Sequence, residues 1–308
     1  MIRDRRVVLW GEDVGEHGGS FSATLGLYDT FGKDRVFNTA ISESAIVGTG
    51  VGAATVGLRP VVEIMFIDFI LQAMDQVGNQ AAKARFMFGG QYSIPLTIRT
   101  TVGGGKGYAG QHSQSLESVV TQFPGLKVVA PSNAYDLKGL LKTAIRDDNP
   151  VVFIEHQWVY LEKAVVPEEE YLIPFGEARI ARKGKDITVV AYSHMVSRSL
   201  SAAETLKKED GIEVEVVDVR TLVPLDIKTI AGSVNRTGKA LIVTQSPCTG
   251  SFAAFISHEI TRNCFNNMKT PVRIVSSYDV PPPMSYSLEK ENMPSVDRIA
   301  QGIKETLL

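Results

Sequence analysis

The sequence predicts an α/β fold in two units, each a mainly parallel sheet covered by helices. Three observations carry this. Short β-branched runs alternate with helical patterns along most of the chain. The alternation lapses once, between about residues 163 and 183, where KAVVPEEEYLIPFG brings two prolines and an acidic cluster. A length of 308 residues suits two domains.

Taken in order, RRVVLW reads as the first strand and ESAIVGTGVGAATVG as a helix. RPVVEIMF reads as a strand, and IDFILQAMDQVGNQAAKARFMF as one long amphipathic helix. PLTIRTTV and LKVVAP are strands, DLKGLLKTAIRD is a helix and PVVFIEH a strand. Beyond the lapse, DITVVAYS, IEVEVVDV, ALIVTQS and VRIVSS read as strands. Between them lie helical patterns in MVSRSLSAAETLKKE, DIKTIAGSVNRTG, which ends at Gly238, and SFAAFISHEITRNCF. A proline-rich tail, DVPPPMSYS, follows the last strand. The expected division is therefore residues 1–165, a linker at 166–183, and residues 184–308. No period of 20–50 residues marks a repeat protein.

Composition narrows the function. The formal net charge is −2 with no Lys/Arg run, which argues against a nucleic-acid partner. The longest apolar stretch, VVEIMFIDFILQAM, is broken by Glu63 and Asp68 and falls short of the roughly 20 apolar residues of a membrane span. The segment MIRDRRVVLWGEDV has neither a signal-peptide core nor a transit pattern. Cys248 and Cys264 lack metal-type spacing. The expectation is an intracellular, cytoplasmic protein with reduced thiols.

One motif invites a wrong turn. Gly105–Gly110 (GKGYAG) fits the dinucleotide pattern GxGxxG after a strand. The acidic ribose-binding residue expected about 20 positions on is missing, because that stretch is FPGLKVVAP. The loop also lacks the Ser or Thr of a phosphate-binding Walker motif. It reads as a mobile glycine loop near a ligand. Gly48, Gly50, Gly52 and Gly57 lie in a helical pattern, where glycine costs about 1 kcal/mol against alanine, and read as a face for close packing.

Three residues stand out for chemistry. Glu43 follows Ser42, a suitable helix N-cap, so it falls in a first turn. An acid there also serves simply to complement the helix dipole. Phe69 lies in an apolar run, where phenylalanine is ordinarily core. His112 directly follows the glycine loop, beside Ser113 and Gln114, a place more exposed than core.

In sequence, the segments GEDVGEHGGSF, RVFNTAISE, GLRPVVEIMFIDF, AMDQVGNQAAK, AGQHSQSLES, PGLKVVAPSNAYDLKGLLKTAIRDDNPVVFIEH and VVDVRTLVPLD resemble the β subunit of pyruvate dehydrogenase and its relatives. These are the decarboxylating components of 2-oxo acid and acetoin dehydrogenase complexes. The resemblance covers nearly the whole chain. It implies a pyrimidine-binding domain, a transketolase-type C-terminal domain, and thiamine diphosphate as cofactor.

It also implies roles at matching positions. Glu43 would bond the ring nitrogen of the cofactor's aminopyrimidine, promoting the imino form that can take the thiazolium proton. Phe69 would pack on that ring, with Gln72 one turn on. His112 would serve near the substrate during acyl transfer to a lipoyl group. Glu12 would lie between paired active sites. Leu96, Ala144, Ile145, Asp147 and Asn149 would surround a potassium ion, a hard cation suited to carbonyl oxygens.

The sequence contains no Gly-Asp-Gly, the start of the diphosphate and magnesium motif of single-chain thiamine enzymes. The resemblance therefore implies an α2β2 assembly in which an α subunit holds diphosphate and magnesium, together with a lipoyl acyltransferase core. Relatives carry about a helix's worth of chain ahead of the RDRRVVLWGEDV segment, whereas Met1 stands just before it here. Pyruvate is the expected substrate. Acetoin dehydrogenase, a two-chain transketolase-like transferase and a non-catalytic scaffold subunit are the competing readings.

Overall fold

The computed structural model describes residues 1–308. Six strands come from the first half: β1 (Val7–Gly11), β2 (Val36–Asn38), β3 (Arg59–Phe66), β4 (Thr97–Val102), β5 (Lys127–Val129) and β6 (Val151–His156). Six follow: β7 (Arg179–Arg182), β8 (Ile187–Ala191), β9 (Val214–Asp218), β10 (Thr221–Val223), β11 (Ala240–Pro247) and β12 (Arg273–Ser277). The helices are α1 (Leu27–Phe31), α2 (Glu43–Thr55), α3 (Ala82–Met87), α4 (Glu117–Thr121) and α5 (Ala134–Arg146), then α6 (Met195–Asp210), α7 (Ile227–Thr237), α8 (Phe252–Cys264), α9 (Tyr286–Asn292) and α10 (Val296–Leu307).

The strands form two sheets, ordered β10-β5-β6-β4-β3-β1-β2 and β12-β11-β8-β9-β7. All pairings are parallel except those of the edge strands β10 and β7. The central strands are buried throughout, as continuous apolar runs in parallel sheets must be. Helices end where the sequence indicates: α7 stops at Gly238, which adopts the left-handed conformation at φ 74°.

Two expectations need correction. Residues 67–87 are not one α-helix. A 3₁₀ segment, Ile67–Ala73, passes into a wider π turn, Asp75–Ala81, before α3 begins. The wide turn contains Gly78, packed so tightly on Phe123 that a Cβ would stand 2.5 Å from that ring. The supposed linker contains β7, which pairs antiparallel with β9 through Arg179↔Asp218. RIAR is too short and too charged to signal a strand alone. The chain after the proline-rich tail, to which the sequence pattern assigns no element, is helical, with Ser295 capping α10 by accepting from the Arg298 N–H at 3.1 Å.

β10 leaves the second half and joins the first sheet beside β5. The main core is correspondingly continuous across both halves, from Trp10, Ile46 and Ile98 to Val190, Leu222 and Ile256. No helix is long and apolar enough to cross a membrane.

Candidate functional site

Glu43 is the first residue of α2 and is half-buried. Ser42 occupies the N-cap as expected, but its hydroxyl makes no capping bond. Two features fix the helix on the sheet. The Trp10 indole donates to the Ile46 carbonyl at 3.1 Å. Gly50 lies where a Cβ would meet Leu96 Cδ1 at 2.9 Å, so its lack of a side chain permits the approach. Gly48 faces Gln76, whereas Gly52 and Gly57 face open space. The glycine face thus packs partly within this chain and partly outward.

α2 also packs on the 67–73 segment. Phe69 there is half-buried. Its ring meets that of His112 edge to face at 5.0 Å, and His112 meets Phe66 at 5.0 Å in the same way. Tyr108 closes on Phe66 at 5.5 Å. The structure therefore brings Phe69 and His112 together, on a platform that Phe66 completes. Gln72 is exposed and outside this cluster.

Glu12 follows β1 and is half-buried. Burial, and then the charges of Glu43, Asp13 and Glu63, push its carboxyl above the usual range. Burial likewise raises Glu63, against the pull of Arg99. Arg99 bonds Glu63 at 2.7 Å and Glu155 at 2.9 and 2.8 Å. Tyr160 donates to Glu155 as well. A file of acids thus runs from Glu43 through Glu12 to this buried cluster.

Sequence reasoning missed two carboxylates. Asp68 is buried, and its Oδ1 accepts from the Gln114 N–H at 3.2 Å and from the Gln114 side-chain amide at 2.8 Å. Its Oδ2 has no partner. Burial raises the Asp68 pKa, while the Gln114 bonds and the nearby His112 oppose the rise. An acid in the middle of an apolar run was the available signal. The second is Glu289 in α9, which accepts from the N–H groups of Gly105 and Gly107 at 2.8 Å each. Nothing local in SLEKEN announces it. These bonds also anchor the glycine loop, which the sequence suggested would be mobile. A cleft of about 440 Å³ lies between this loop and the second half, but Glu43, Phe69 and His112 do not line it.

The five residues expected around potassium meet near the end of α5. The Leu96 carbonyl accepts from Val151 at 2.9 Å and the Ala144 carbonyl from Asp147 at 3.2 Å. The carbonyls of Ile145 and Asp147 accept from Arg59 at 2.8 and 2.7 Å. Asn149 donates to the Asp147 carboxylate at 2.9 Å, and Lys127 pairs with that carboxylate too. A guanidinium thus already uses two of the oxygens. No cluster of three or more His, Cys, Asp or Glu side chains is placed to hold a metal ion.

Comparison with known proteins places this chain in a family. Residues 1–160 match the transketolase pyrimidine binding domain, and residues 176–299 the transketolase C-terminal domain. The chain is 44% identical to the 2-oxoisovalerate dehydrogenase subunit beta of Bacillus subtilis, over 99% of this chain and 94% of the relative. It is 46% identical to the beta subunit of an acetoin:2,6-dichlorophenolindophenol oxidoreductase from Cupriavidus necator, over 100% and 93%. It is also 46% identical to the pyruvate dehydrogenase E1 component subunit beta of Bacillus subtilis, over 92% and 88%. A solved chain described as a split gene transketolase, inactive beta4 tetramer, shares the fold with a TM-score of 0.80 at 21% identity, covering 99% of this chain and 93% of that one. The chain belongs to the β-subunit family of the thiamine-diphosphate-dependent 2-oxo acid dehydrogenases, built from transketolase pyrimidine-binding and C-terminal domains.

Proposed function

We propose that this chain, in a complex that decarboxylates a 2-oxo acid, holds the pyrimidine end of thiamine diphosphate while an α subunit holds the diphosphate and its magnesium. One observation carries the assignment: the Phe69 and His112 rings meet at 5.0 Å beside α2, whose first residue, Glu43, has no bonding partner within the chain. The residues fit half of the cofactor. Phe69 offers an apolar face for a flat ring, and Glu43 a free carboxyl for a ring nitrogen. The diphosphate end finds no Gly-Asp-Gly and no acidic metal cluster here.

When bound, thiamine diphosphate supplies the nucleophilic carbon and the electron sink that decarboxylation needs. This chain supplies proton handling and orientation. Glu43 gives and takes a proton at the pyrimidine nitrogen. Glu12, whose carboxyl is raised by burial and by Glu43, shares the charge behind it. Phe69 fixes the plane of the ring. His112 donates a proton during acyl transfer to a lipoyl carrier. Gln72, one turn on from Phe69, is exposed.

An α2β2 assembly is supported by the surface around α2. Ile41 and Val56 flank that helix at 80% and 79% exposure, and Gly52 opens outward between them. A lipoyl acyltransferase core would receive the acyl group. Potassium belongs to the same reading, because the Ile145 and Asp147 carbonyls each keep a second lone pair beside the bond to Arg59. Pyruvate is the first substrate to test, against 2-oxoisovalerate and acetoin.

The test is reconstitution with an α-type chain carrying Gly-Asp-Gly. Glu43→Gln should lower turnover by about 10²–10⁴-fold, the usual scale of a lost proton-transfer group. Unchanged turnover would end the catalytic reading and favour a scaffold subunit. Ketol transfer from a sugar phosphate without a lipoyl acceptor would favour the transketolase-like alternative.

A further inference from the structure

The geometry points to Glu289 as a positioning residue for His112, acting across the two halves of the chain. The assignment rests on the catalytic reading of His112 given above. The segment from Gly103 to His112 has little structure of its own beyond a short 3₁₀ turn at Ala109–Gln111. Such a segment does not hold a side chain in place unless something else holds its backbone.

Glu289 does so. Gly105 and Gly107 adopt φ values of 88° and 77°, which turn both N–H groups toward one acceptor. The two Glu289 oxygens take one N–H each at 2.8 Å. Such charge-assisted bonds are stronger than neutral ones. Glu289 is only 2% exposed, and neither oxygen bonds anything in its own half. Between the glycines, Lys106 sits 4.0 Å over the Trp158 ring. Gly105 packs so closely that a Cβ would come within 2.5 Å of Trp158 Nε1. The loop is therefore wedged between Trp158 and α9.

Beyond His112 stands the other anchor, the Asp68 carboxylate on Gln114. His112 thus lies between two carboxylate tethers. One comes from the first half beside Phe69, and the other from a helix beyond the last strand. Loss of the distant tether frees one end of the loop and lets the imidazole drift from the Phe66–Phe69 platform. A displacement of that kind costs rate more than binding.

The experiment uses the reconstituted complex with Glu289→Gln, Glu289→Asp, His112→Ala and the Glu289→Gln/His112→Ala double variant. Glutamine keeps one acceptor but turns an amide N–H₂ toward the second glycine N–H. Glu289→Gln should speed amide exchange across residues 103–112 about tenfold, with β3 and β6 unchanged. kcat should fall about 10- to 100-fold at constant KM and constant cofactor affinity. Glu289→Asp should recover part of the loss, and Glu289→Gln should cost nothing further in the His112→Ala background. Wild-type exchange and kcat in Glu289→Gln beside an inactive His112→Ala would overturn the Glu289 assignment alone. Full turnover in His112→Ala would overturn the catalytic reading of His112 and this assignment with it.

Discussion

His156 Nε2 lies 2.8 Å from Gln245 Oε1 in a buried hydrogen bond between the two sheets. His156 closes β6 and Gln245 belongs to β11. The Trp158 N–H donates to His156 Nδ1 at 3.2 Å, so that nitrogen is unprotonated and the ring proton is on Nε2. Burial, and then the stacked His194, push the His156 pKa down from 6.5 to about 3. The unfolded imidazole takes a proton below its ordinary pKa, and the folded one resists. Stability from this site is therefore complete above pH 6.5 and drains away toward pH 3, at up to about 1.4 kcal/mol per pH unit. His156→Gln should be less stable at pH 8 yet decline less steeply below pH 6.5. Urea midpoints across that range decide it, and a wild-type slope in the variant would sink the assignment.

Arg99 carries the second expectation. Its side chain is 8% exposed and serves two carboxylates that are 8% and 3% exposed. Arg99→Met leaves Glu63 and Glu155 buried without a countercharge. The loss should be about 3–5 kcal/mol, read by chemical denaturation at neutral pH. A loss below about 1 kcal/mol, the scale of an exposed pair, would mean that the cluster is solvated in solution.

Asp68 should show a trade between stability and activity. Burial raises its pKa, so the folded state binds its proton more tightly than the unfolded state does. Stability then falls as pH rises through the window between the two values. Asp68→Asn removes that penalty and keeps an acceptor for Gln114. The variant should be at least as stable as wild type at pH 7 but slower in turnover, since the charge beside His112 is gone. A clear loss of stability at pH 7 would contradict this account.

Arg59 ties the start of β3 to the end of α5 through the Ile145 and Asp147 carbonyls and the Asp148 carboxylate. Arg59→Met removes three hydrogen bonds, an expected cost of about 3 kcal/mol at about 1 kcal/mol each. If potassium shares these oxygens, replacing potassium chloride by choline chloride should lower the melting temperature of wild type. Equal melting temperatures in the two salts would remove potassium from the reading.

Much of the fold was legible because fully buried parallel strands leave apolar runs, as in RPVVEIMF and PVVFIEH. What stayed hidden depends on distant partners. β10 is three residues whose edge pairing with β5 is set by tertiary approach. RIAR forms β7 only because β9 is there to receive it. The break in residues 67–87 accompanies Gly78 meeting Phe123, a contact that no helical periodicity encodes. At the site, Glu43, Phe69 and His112 came from a resemblance spanning the chain, whereas each alone looked ordinary. Glu289 was invisible because its role exists only once Gly105 and Gly107 arrive beside it.

The crossing of β10 bears on how this polypeptide can be divided. Its edge pairing makes the second half a structural donor to the first, much as a strand completes an unfinished sheet in another molecule. Cleavage between residues 163 and 178 would cut the chain but not release two pieces. The fragments should travel together on a sizing column and melt in one transition. The first half made by itself would expose the β5 edge and the apolar face that Leu222 covers, a surface prone to association. A gene split at this point would therefore have to express both products together.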